Sequence, residues 1–158
     1  MSTLTVKEIE APTGYDLVMP AGSVIQFASK NLNSGSWTTT STSYVSTDAT
    51  IDFTPKFASS TILVHFFGSV HYSINNHGLG QIRKNGSTLT ATNQRYDHDD
   101  FIAYHANTTP TGGMISGFWA GDAGSTSQAT YAYYVAAQGG GTLYFYRNFG
   151  ISVTEIAG

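Results

Sequence analysis

The segment Thr61-Ile62-Leu63-Val64-His65-Phe66-Phe67-Gly68-Ser69-Val70-His71-Tyr72-Ser73 is the longest in the chain that is both apolar and strictly alternating. Successive side chains of an extended strand point to opposite faces. Ile62, Val64, Phe66, Val70 and Tyr72 therefore fall on one side, and Leu63, His65, Phe67, Ser69 and His71 on the other. The first set is a core face. The second is too apolar for plain solvent and too polar for a core, a mixture that usually meets another protein surface. The reading is a β-sandwich centred on this strand, with Leu63, His65, Phe67 and His71 as candidate residues of an interface on its outward side.

The same extended character continues to either side. Upstream, residues 23–28, 44–45 and 49–54 read as strands, separated by a polar loop over residues 29–43 that carries Trp37. Downstream, residues 79–84 and 87–92 flank Asn85-Gly86, the strongest short hairpin signal in the chain. Residues 114–120, 129–136, 143–146 and 151–156 are further strands, while the polar stretch 93–111 reads as a long loop. With no convincing helix and no internal repeat, the pattern predicts an all-β fold, a jelly-roll β-sandwich of about eight strands over residues 21–158. Residues 1–20 hold too little apolar content for a domain and carry turn signals at Pro12-Thr13-Gly14 and Pro20-Ala21-Gly22. They are expected to form an extended N-terminal arm, with Thr3-Leu4-Thr5-Val6 as a short edge strand.

Composition narrows the function classes. Charged residues make up 11% of the 158, against an ordinary level of roughly 25%, so Ser, Thr, Asn, Gly and Tyr supply the polar surface. A net charge of −3 with seven scattered Lys/Arg leaves no electrostatic footprint for nucleic acid or an anionic membrane. No apolar run approaches the ~20 residues of a membrane helix, and the first residues lack the apolar centre of a signal peptide. Without cysteine, neither a disulfide nor a thiolate metal site supports the fold. Ten Tyr and nine Phe on a weakly charged chain suit contact surfaces better than catalysis.

Few residues offer chemistry. Asp97-His98-Asp99-Asp100 gathers three carboxylates and an imidazole, but a calcium loop needs six to eight ligands and a glycine for its sharp turn. The expectation is a solvated loop crest and no bound metal. His65 and His71 share a strand face but lie about 20 Å apart at ~3.3 Å per residue, too far for one ion. No two histidines are separated by a single residue, as a cupin metal motif requires, and Gly-x-Ser-x-Gly is absent. Gly139-Gly140-Gly141 lacks the Lys-Ser/Thr of a phosphate cradle and reads as a hairpin turn. The chain is expected to be no enzyme and to need no cofactor. Trp37, Tyr96, Asp97, His98, Asp99, Tyr104 and His105 fall in expected loops, where aromatic faces beside carboxylates grip sugars. The same aromatics equally suit packing of their own loops or a subunit contact.

The two ends add a resemblance. Ser2-Thr3-Leu4-Thr5-Val6-Lys7-Glu8-Ile9-Glu10-Ala11-Pro12-Thr13-Gly14, Met19-Pro20-Ala21-Gly22-Ser23-Val24-Ile25-Gln26 and the ending Ile151-Ser152-Val153-Thr154-Glu155-Ile156-Ala157-Gly158 resemble small virion structural and tail-fibre proteins of tailed phages. Phages of marine bacteria and cyanobacteria are the nearest in style, and Phe53-Thr54-Pro55-Lys56 to Ser60-Thr61-Ile62-Leu63-Val64 fits the same group. The resemblance implies a trimer like the tumour-necrosis-factor and complement-type jelly rolls. It also implies an arm that docks on other virion proteins, here through Leu4, Val6 and Ile9, and a globular part that faces outward. The expectation is a homotrimeric tail fibre or knob, made in the host cytoplasm, that attaches to a host-surface glycan. A capsid decoration or cement protein without a receptor, and a free sugar-binding lectin, are the alternatives.

Overall fold

Alternation in the central strand is realised side chain by side chain. In the computed structural model, which describes residues 19–32, 36–73, 77–89, 101–105, 112–146 and 149–158, Ile62, Val64, Phe66, Val70 and Tyr72 are all buried. Leu63, Phe67, Ser69 and His71 on the other face are half-buried, and His65 is exposed. Eleven strand segments follow one another: β1 (Val24–Leu32), β2 (Trp37–Thr39), β3 (Val45–Phe53), β4 (Thr61–Tyr72), β5 (His77–Lys84), β6 (Ser87–Thr88), β7 (Phe101–His105), β8 (Gly112–Asp122), β9 (Ala129–Ala137), β10 (Leu143–Phe145) and β11 (Phe149–Ile156).

These segments occupy eight strand positions. β8 pairs with β4 from Thr61 to His71, so β11, on residues 61–67, and β10, on residues 70–72, must share the other side of β4. β1 pairs with β11 and β2 with β10, which places β1 and β2 end to end as well. The first layer thus runs β1/β2, β10/β11, β4, β8. In the second layer β5 pairs with β9 on one side and with β6 and β7 on the other, giving β3, β9, β5, β6/β7. Every pairing is antiparallel. Two four-stranded layers joined mostly by connections from one sheet to the other make up the expected jelly-roll sandwich.

Aromatic rings fill the space between the layers. Phe66 of β4 stacks on Tyr133 of β9 with centroids 3.5 Å apart and planes 10° from parallel. Phe145 meets both rings edge-on at about 6 Å and also contacts Phe149 at 5.4 Å. The hairpin at Asn85-Gly86 has both residues at positive φ (51° and 81°), the two-residue geometry whose twist matches the flanking strands.

Several boundaries differ from the sequence reading. β1 extends to Leu32 and β2 covers Trp37–Thr39, where a continuous loop was expected. The return strand of the hairpin is only Ser87–Thr88. The polar stretch 93–111 contains β7, paired with β5 from His77 to Gly80.

One carboxylate sits where composition gives no warning. Glu155 of β11 has 0% exposure on the inward side, at the end of the sandwich. It accepts hydrogen bonds from Ser60 Oγ (2.5 Å), Gln26 Nε2 (2.6 Å), Lys56 N (2.9 Å) and Phe57 N (3.0 Å). Burial pushes this carboxyl upward, but those donors together outweigh burial and hold it below the ordinary carboxylate range. Glu155 ties the β3–β4 connection and β1 to β11, and so fixes the end of the layer that carries the outward face.

Candidate interaction surface

Register and alternation together define the outward face of the first layer. Four rows cross it: Phe27, Thr154, Leu63, Ala120; then Ser29, Ser152, His65, Phe118; then Asn31, Gly150, Phe67, Ser116; and, towards the other end, Thr38, Tyr144, His71, Gly112. Ser69 stands opposite Met114 between the last two rows. Among the described residues, the only Asp, Glu, Lys or Arg on this face is Asp122, at its rim. Met114 (77% exposed), Phe27 (62%), Phe118 (47%) and Tyr146 (44%) project from it.

Local geometry organises these groups into two clusters. His65 Nε2 lies 2.7 Å from Ser116 Oγ, and its ring is 5.8 Å from that of Phe67, which in turn lies against the backbone of Gly150. His71 packs 5.5 Å from Tyr144 and 6.0 Å from Tyr146, whose own rings are nearly parallel at 6.2 Å. Covering such a face removes apolar and aromatic area from water and strips hydration from few charges.

The outward face of the second layer differs. It presents Asp48, Asp52 and Arg83, with the Arg83 guanidinium 4.4 Å from the Tyr134 ring and 5.2 Å from the Tyr44 ring. Thr130 Oγ1 donates to Asp52 Oδ1 at 2.5 Å. With Asp48 and Asp52 exposed and Arg83 stacked on two rings, this is an ordinary wet surface.

The sequence candidates scatter. Leu63, His65, Phe67 and His71 share the outward face, joined by Phe27, Met114, Phe118, Tyr144 and Tyr146, which sequence reasoning did not single out. Alternation inside β1 and β8 carried that signal, since Phe27 and Phe118 alternate with Ala28 and Trp119 just as Leu63 does with Val64. Trp37 is not in a loop: it lies on β2, half-buried, with its ring 6.0 Å from Phe145 and packed on the core. Tyr104 and His105 are likewise not in a loop but in β7, at the positions paired with Gly78 and His77. Tyr96, Asp97, His98 and Asp99, and the arm residues Leu4, Val6 and Ile9, lie outside the described residues. Among the described residues, no three His, Asp or Glu side chains gather where a metal ion would be held.

No protein-family model matches the chain, and no curated protein matches it. Among solved structures, the EclA C-terminal domain, described as a sugar-binding protein, is similar over 92% of this chain and 89% of that one. Identity is 14% and the TM-score is 0.37. A likeness that distant assigns neither fold nor ligand, and the fold rests on the strand pairing above.

Proposed function

We propose that this chain is a non-enzymatic structural module of a phage virion, whose aromatic sheet face is covered by further copies of itself in a threefold cluster. The observation that supports this reading is the outward face of β1/β2, β10/β11, β4 and β8: large exposed apolar groups, two histidines and, among the described residues, Asp122 as the one Asp, Glu, Lys or Arg. A surface of that composition costs little to desolvate and gains from being covered. The virion setting comes from the resemblance of the two chain ends to small tailed-phage proteins. Attachment to a host-surface glycan is the finer part of the proposal, with Tyr104 and His105 of β7 as contacts. Repetition around an axis would turn weak single contacts into firm binding.

Light scattering on the purified chain tests the assembly. A mass of three copies, or a multiple of three, is expected, and a monomer at micromolar concentration overturns the reading. Glycan capture that Tyr104→Ala abolishes supports attachment. Location of the protein on a capsid shell, with no glycan bound, favours the cement alternative.

A further inference from the structure

We propose that β8 is a pairing edge for the β8 of a second copy, antiparallel and in a register centred on Ser116. Among the described residues β8 pairs with β4 alone, leaving one side of an eleven-residue strand without a partner. Such an edge is a ready template for another strand unless charge, proline or a bulge blunts it. The other edges are blunted. β1 carries Lys30 and an irregularity between Val24 and Gln26, and β3 carries Asp48, Asp52 and an irregularity between Ser46 and Thr50. The β6/β7 edge is split into segments of two and five residues. From Gly112 to Gly121, β8 has no charge, no proline and no register break, and it exposes Met114 and Phe118.

The occupant follows from the strand's own pattern. Antiparallel pairing about Ser116 sets Met114 against Phe118, Ile115 against Gly117, Gly113 against Trp119 and Gly112 against Ala120. Trp119 and Ile115 each meet a glycine, and the exposed Met and Phe meet each other in two equivalent cross-strand pairs. A register centred one residue later instead sets Ile115 against Trp119 and wastes Gly113 on Gly121. With no charge in the segment, like charges never oppose one another across the twofold axis. Nine paired residues per strand supply about nine main-chain hydrogen bonds, the number a typical specific interface carries. The axis runs perpendicular to the sheet, so the outward faces of both copies lie on the same side and join.

This edge contact uses a different surface from the threefold face contact, and the two fail separately. Face alone gives three copies, edge alone two, and both together six. The chain has no cysteine, so single thiols report the register cleanly. Directly opposed positions have Cα atoms about 4.5–5.5 Å apart, within disulfide reach, whereas the two copies of residue 114 would be about 14 Å apart. Under mild oxidation Ser116→Cys should run mostly as a covalent dimer and Met114→Cys, although more exposed, as a single chain. No cross-link at 116, or equal cross-linking at both positions, overturns the proposal. Ser116→Lys places like charges opposite each other and should halve the particle mass, and an unchanged mass overturns it. A native mass of two or six copies supports the edge; one or three refutes it.

Discussion

Replacing Glu155 by glutamine removes one charge without changing size, and the surroundings make the cost calculable. The carboxylate takes four donors, from Gln26, Lys56, Phe57 and Ser60. An amide keeps one acceptor oxygen. Placed where Oε1 stands, that oxygen retains Lys56 N, Phe57 N and Ser60 Oγ but turns an NH₂ group towards Gln26 Nε2, a donor facing a donor. Gln26 cannot relieve the clash by flipping, because the same nitrogen also donates to Thr54 O at 2.7 Å. Charge-assisted bonds contribute about 1 kcal/mol more than neutral ones, and three are weakened while one is lost. The neutral side chain recovers part of this through a smaller desolvation penalty. Glu155→Gln should therefore destabilise the fold by about 2–4 kcal/mol, or a Tm drop of about 10 °C for a domain of this size. Urea unfolding followed by circular dichroism at fixed protein concentration measures it, since assembly would otherwise shift the apparent value. The sign with pH is also fixed. The folded carboxyl lies below its unfolded value of 4.5, so its contribution is full above that pH and is lost as pH falls through the folded value. Wild type and variant should converge in acid. A loss under about 0.5 kcal/mol at pH 7, within the range of ordinary surface changes, refutes the reasoning.

Other perturbations separate face, core and site. Leu63→Glu or Phe67→Asp puts a charge on the outward face and should reduce the copy number by light scattering while leaving the circular dichroism of the monomer unchanged. Gly80→Ala would drive a methyl group into the Tyr133 ring, which is pinned against Phe66 at 3.5 Å, and should cost about 1–3 kcal/mol in urea unfolding. Trp37→Ala should lose about 2 kcal/mol, because the ring is half-buried against Phe145. Unchanged stability together with lost glycan capture would return Trp37 to the role of a sugar platform.

The amino-acid sequence by itself determined the class of fold and the two faces of β4. Strand alternation is a local property: a side chain's direction follows from its neighbours, so Ile62 and Val64 must face away from Leu63 and His65 wherever the strand goes. The Asn85-Gly86 hairpin is local for the same reason, since Asn and Gly accept positive φ at little cost. What the sequence did not decide is which strand lies beside which. β7 was hidden because Phe101–His105 is brief and sits among polar residues, and it becomes a strand only by pairing with β5. Trp37 looked like a loop aromatic until β2 was laid against β10 and brought it to Phe145. Glu155 reads as one polar residue near a chain end, and its burial depends on donors about 95 to 129 positions away. Only tertiary structure settles such contacts, because no short window of sequence contains both partners.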